Sequence, residues 1–173
     1  MVSVKTKSAL ITEIGALVGA VGDKFDNDES DAERDYLAER CPPRLERTVR
    51  ELPTLSLHLL AVLADGPISV VGLAARADQL KGTVSKHVQR LVDAGLVTRA
   101  PLPGNRKELQ LSPTADGDLL IAVHQRMHDE MDAGRHDFLS RYTTAELSVL
   151  EKVLQDLLAA SRDGVRLIPA ERT

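Results

Sequence analysis

Apolar residues recur at three- and four-residue spacing along most of this chain, and each stripe predicts a helix. Leu10, Ile14, Leu17, Val18, Val21 and Phe25 mark the first, over residues 10–25, with Gly15, Gly19 and Gly22 beside the stripe where small residues permit close helix packing. The acidic stretch from Asp26 to Asp31 breaks the pattern and reads as a loop or solvated turn. Residues 32–40 look helical again until Pro42-Pro43, which lack the amide donor a helix needs, end the run. Leu45, Val49 and Leu52 predict a short helix whose Arg44, Arg47 and Arg50 read as a solvated face rather than a phosphate clamp.

Thr54 is the expected N-cap of a strongly apolar helix built on Leu57, Leu59, Leu60, Ala61, Leu63 and Ala64 and ended by Asp65-Gly66-Pro67. Ile68 is extended, Ser69 caps a helix over 70–77, and a turn at 78–80 leads into residues 81–94 with Gly95 as C-cap. In that last segment Val84, Val88, Leu91 and Val92 face a core, while Lys81, Thr83, Ser85, Lys86, Gln89 and Arg90 face out. The outer face offers donors and positive charge, which suits a nucleic-acid groove.

Short alternating segments at 96–99 and 108–111 flank a turn rich in Pro, Gly and Asn, predicting a projecting hairpin with Arg106 and Lys107 at its tip. Ser112 as N-cap and Pro113 at the first helical position open a helix striped by Leu120, Val123, Met127 and Met131. Thr143 and Glu146 form a capping box before a last helix carrying Leu147, Leu150, Val153, Leu154, Leu157 and Leu158, and the tail after Arg162 reads as loose.

Composition changes the picture in two respects. Hydrophobic residues make up 43% of the chain but aromatics only 2%, with no Trp, so the core is aliphatic and leans helical. The formal charge of -4 argues against nucleic acid only if it is spread evenly. It is not: from Arg76 to Lys107 seven basic residues stand against Asp78 and Asp93, a net of +5, whereas Asp23 to Asp35 is -5. The local field at a surface governs steering and phosphate affinity.

The lone Cys41 excludes an intramolecular disulfide and a CxxC metal knuckle. No run reaches the ~20 apolar residues of a membrane span, and the Lys5 and Lys7 region lacks a signal-peptide pattern, so the expected location is cytoplasmic with no membrane partner. There is no Gly-rich phosphate loop, no Gly-x-Ser-x-Gly and no Cys–His or Ser–His motif; Ser85 and His87 are too close on a helix to face each other. The chain is not expected to be an enzyme.

Assembled, residues 54–111 run helix, short strand, helix, turn, polar-faced helix, hairpin, the order of a winged helix-turn-helix. The expected fold class is mainly α with a small β-wing, residues 1–53 and 112–173 supplying helices for a dimerisation domain around the 54–111 DNA-binding module. Leu59-x3-Leu63, Ile68-Ser69-x3-Leu73-Ala74, Gly82-Thr83-Val84-Ser85-Lys86-x-Val88-x2-Leu91 and Gly95-Leu96-Val97-x-Arg99 resemble the MarR family of bacterial transcriptional regulators. The resemblance covers about residues 54–117.

That resemblance implies a homodimer whose N- and C-terminal helices interlock and hold two winged modules over a pseudo-palindromic double-stranded operator. It implies a repressor released by a small-molecule effector. Thr83, Ser85, Lys86, Gln89 and Arg90 would lie on the recognition helix, Arg106 would reach the minor groove and Lys107 would touch phosphate. No catalytic residue, cofactor or resident metal is expected. The chain departs from the family at Asn105, where the wing usually has Asp, at the stretch from Leu111 to Gly117, longer than the usual Leu-Thr-x-x-Gly, and at the link from Asp23 to Pro53, which is also longer.

Two alternatives stay open. His124 and His128 sit four apart on one helix, and zinc-responsive members of the family use a His-x3-His there; Cys41, His58, Glu33, Asp35 and Glu39 are candidate partners, against two merely solvated histidines. His58 also reads either as lining an effector crevice with Arg44 to Arg50 or as packed among Leu57, Leu59 and Leu60. The second alternative is a winged helix used as a protein-interaction module without DNA, which would want an apolar outer face where residues 83–90 are polar.

Overall fold

The computed structural model describes residues 6–26, 29–102, 105–163 and 166–168, and at 22–26, 29–31, 102, 105–108, 162–163 and 166–167 it describes the backbone alone. The chain divides into two compact units, residues 1–127 and 128–173. It is mainly helical with a small antiparallel sheet, the class the apolar spacing predicts.

The first unit is built on an aliphatic core. Helix α1 (Lys7–Asp26) is followed by α2 (Glu29–Arg40), α3 (Pro43–Glu51) and α4 (Thr54–Val62), the last closing in a short 3-10 turn at Leu63–Asp65. Strand β1 (Ile68–Ser69), helix α5 (Val70–Arg76) and helix α6 (Lys81–Asp93) come next, then β2 (Val97–Leu102), β3 (Asn105–Pro113) and the start of α7 (Ala115–Leu139). Leu37, Val49, Leu59, Leu73, Val88 and Leu120, from α2, α3, α4, α5, α6 and α7, are all buried in one cluster. The sheet order is β1-β3-β2, with Ile68 opposite Leu111 and Arg99 opposite Leu111 from the other side. That pairing anchors the wing to the helical core through a side chain that is fully buried at Leu111.

The second unit holds the rest of α7, helix α8 (Thr144–Ala159) and a hairpin of β4 (Ser161–Asp163) and β5 (Arg166–Ile168). Thr143 Oγ1 accepts from the Glu146 N–H at 3.3 Å while the Glu146 carboxylate accepts from the Thr143 N–H at 2.8 Å, the capping box expected from the sequence.

Several boundaries differ from the sequence expectation. α2 begins at Glu29 rather than Ala32, because carboxylates in a first turn suit the positive end of the helix dipole and the acidic stretch is itself helical from there. Pro53, not Thr54, is the N-cap of α4: its carbonyl accepts from Ser56 and no side chain caps the helix. The wing strands run to Leu102 and from Asn105, so the backbone of Arg106 and Lys107 lies in β3 instead of the tip. Ser112 and Pro113 end β3, paired with Thr98 and Val97, and α7 starts after Thr114. The tail is not loose throughout: Ser161 pairs with Ile168 across a hairpin whose sequence signal is Asp163-Gly164.

Candidate nucleic-acid interface

α6 is held from beneath by α4 and α5 through Val84, Val88 and Leu91, each fully buried. Its other face carries Lys81, Lys86, Gln89 and Arg90, all exposed, with Thr83 and Ser85 half-buried at its margin. α4, α5 and α6 thus form the helix-turn-helix core, with α6 in the position of the second helix.

Among the described residues Lys81, Lys86 and Arg90 make no ion pair. The arginines of α3 differ: Arg44 pairs with Asp116, Arg47 with Glu51 at 2.7 Å, and Arg50 with Asp35 at 2.7 Å and Glu46 at 3.1 Å. Each arginine of α3 is thus paired with a carboxylate, whereas the cations of the α6 face make no ion pair among the described residues.

Three features of this surface escape a reading of the sequence. The His87 ring turns inward, its Nδ1 2.8 Å from the hydroxyl of the fully buried Ser56 on α4. Burial first, and then Arg90, push the His87 pKa below its ordinary value, so the ring is held neutral. Arg99 on β2 donates to the Gln89 carbonyl oxygen at 2.9 Å, and the Gln89 amide donates to Asp93 at 2.7 Å. Finally, Thr114 Oγ1 donates to the Gly95 carbonyl at 2.7 Å and accepts from the Gly117 N–H at 3.1 Å, so one residue caps α7 and fastens the turn that leaves α6. The only hint for the first was a serine set among the leucines of α4.

The wing follows as β2 and β3. The side chains of Asn105, Arg106 and Lys107 lie outside the described residues, so only their place on the strand next to the turn is given.

The histidines are arranged differently from expectation. His124 is buried, not solvated, because its spacing from Leu120 and Met127 places it on the apolar stripe of α7. Its ring lies 5.7 Å from that of His58, edge to face. His58 is exposed instead of packed among leucines, and its Nε2 sits 2.6 Å from the Glu33 carboxylate. His128 is exposed. Cys41 is buried with its thiol donating to the Ala38 carbonyl, and burial raises its pKa. Among the described residues no group of three or more His, Cys, Asp or Glu side chains is placed to hold a metal ion. Nor is any helix among them long and apolar enough to cross a membrane.

A MarR-family sequence model matches residues 51–108, which are the helix-turn-helix and the start of the wing. The chain is 30% identical over 109 residues to YhjH of Bacillus subtilis, an uncharacterized HTH-type transcriptional regulator, covering 62% of this chain and 62% of that protein. This chain therefore spans somewhat less than two thirds of that relative's length. Among solved structures it resembles the zinc-responsive MarR family member ZitR of Lactococcus lactis, with a TM-score of 0.67 and 19% identity over 87% of this chain and 97% of the other. It also resembles the C30S mutant of ZitR in complex with DNA, with a TM-score of 0.66 and 16% identity over 86% and 95%. At these identities the structures speak to the fold alone, and the sequence match speaks for residues 51–108: that stretch is similar to the MarR family, and the chain has the winged helix-turn-helix fold, built from α4 to α6 and β1 to β3.

Proposed function

We propose that this protein is a homodimeric, sequence-specific DNA-binding transcriptional regulator that represses its target and is released from DNA by a small-molecule effector. The observation that carries the reading is the contrast between α6 and α3. Lys81, Lys86 and Arg90 stand exposed and make no ion pair among the described residues, while the three arginines of α3 are each paired with a carboxylate. Cations left free on the helix that can enter a major groove are what phosphate neutralisation requires.

In this reading Thr83, Ser85, Lys86, Gln89 and Arg90 meet the major groove, Arg106 the minor groove and Lys107 a phosphate. The known DNA complex of the similarly folded ZitR supports the docking mode. Dimerisation through residues 1–53 and 112–173 is supported by apolar side chains that stand exposed among the described residues: Ile11, Leu17 and Val18 on α1 are more than half exposed, and α8 has no buried residue. The same polar outer face of α6 weighs against a winged helix that serves only to bind protein.

The effector would enter a crevice between the dimer arms and the winged module, where His58 stands exposed. A metal effector is the second reading, favoured by the contact of Glu33 with His58 and of His58 with His124. Equilibrium dialysis against zinc separates the two: uptake lost in His58→Ala supports the metal, and no uptake leaves the organic effector.

The test of the main reading is a salt series of binding to the DNA upstream of the protein's own gene, against a scrambled duplex, for wild type and Arg90→Ala. Preference for the first duplex, weakened in the variant, is expected. Equal binding to both duplexes at every salt concentration overturns sequence-specific recognition.

A further inference from the structure

Gln89 is the residue of the α6 outer face whose side chain is held at both ends. Its carbonyl oxygen accepts from Arg99 Nη1 at 2.9 Å and its amide nitrogen donates to Asp93 Oδ1 at 2.7 Å. A guanidinium has only donors and a carboxylate only acceptors, so one orientation of the amide satisfies both and the flipped one satisfies neither. An exposed glutamine ordinarily rotates freely about its last torsion. Here the direction of its donor–acceptor pair is set before any ligand arrives.

Asp93 is otherwise oddly placed. It lies in the last turn of α6, where the helix dipole disfavours a carboxylate, on the element that would approach phosphates. Holding Gln89, with Arg99 beside the same amide, gives that carboxylate a use.

A glutamine amide has two acceptor sites on oxygen and two N–H donors. With one of each engaged, one acceptor and one donor remain, which is the complement of the N6 amino group and N7 of an adenine in the major groove. Resting on the DNA-binding reading above, we infer that Arg99 is a specificity-determining positioning residue: with Asp93 it presents Gln89 to the groove as a preset reader of adenine. Arg99 touches no base in this arrangement and acts through Gln89.

The experiment is selection from a library of random duplexes by wild type, Gln89→Ala, Arg99→Ala and Arg99→Lys, followed by binding of each protein to the best duplex and to its single-base-pair substitutions over a range of salt. The wild type is expected to prefer an A·T pair at a position where Gln89→Ala loses its preference. Arg99→Ala should lose about tenfold or more of the discrimination there, and Arg99→Lys, which still offers a donor to the amide oxygen, should restore part of it. Were Arg99 only a phosphate contact, Arg99→Ala would weaken all duplexes alike and reduce the salt slope by about 1 with the preference intact, which overturns the inference but leaves DNA binding standing. A Gln89-dependent position that selects a pair other than A·T also overturns it. A wild type that enriches no sequence overturns both the inference and the reading beneath it.

Discussion

His87 illustrates how a single residue can stabilise the outer face of α6 without belonging to it. It sits between Lys86 and Val88 on α6, yet its Nδ1 meets the buried Ser56 hydroxyl, tying α6 to α4 at a point where the remaining contacts are aliphatic. Its pKa is lowered by burial and by Arg90, so the unfolded chain takes up a proton that the folded one resists. The stability it contributes is fully present above the ordinary value of 6.5 and is lost as pH falls below that value toward the lowered one. Thermal melting from pH 7.5 to 5 should show wild type falling more steeply than His87→Asn; equal slopes would mean the ring is not held neutral by the fold. Cys41 makes a second residue-scale expectation. Buried and with its thiol pKa raised, it should be alkylated much more slowly in the native protein than in urea, and equal rates would contradict its burial. The partner of His87 was not legible in the sequence, since Ser56 and His87 are 31 positions apart and only folding brings them together.

Among the elements, the junction of α6, β3 and α7 shows why some boundaries could be read and others not. Ser112-Pro113 is a strong helix-start signal by itself, but Val97 and Thr98 pair with Pro113 and Ser112, and the sheet wins those residues. The start then falls to Thr114, whose hydroxyl satisfies both the Gly95 carbonyl and the first turn of α7. Gly117 allows that fit: a Cβ there would stand 2.2 Å from the Leu96 carbonyl oxygen, a backbone atom that cannot swing away. Gly117→Ala should therefore cost about 2 kcal/mol or more in denaturant unfolding, as overpacking against fixed atoms does. Unchanged stability would mean α7 is free to shift off the turn. By contrast, the apolar stripes of α4, α6 and α8 and the Thr143 capping box were legible because each depends on neighbours within one or two turns. Thr143→Ala should cost about 1 kcal/mol by the same measurement.

For the molecule as a whole, two patterns in the sequence carry through to the structure: apolar stripes at helical spacing, which build the helices, and the polar face of α6 opposite its buried stripe. The fold class and the face of α6 were legible from these. The locking of Gln89 by Arg99 and Asp93, and the inward turn of His87 and His124, were not, because they depend on how separate elements meet. The exposed apolar face of α1 predicts that Leu17→Glu shifts the protein from dimer to monomer in light scattering and weakens operator binding in parallel. A monomeric wild type would refute the dimer.

The central claim, that two copies of α6 read one face of a duplex, is tested most directly by hydroxyl-radical footprinting of the dimer on its preferred DNA. The account predicts two protected patches centred about one helical turn, ~10 bp, or a whole multiple of it apart, each lost in Arg90→Ala. One continuous patch with no such periodicity, or protection unchanged in the variant, would contradict it.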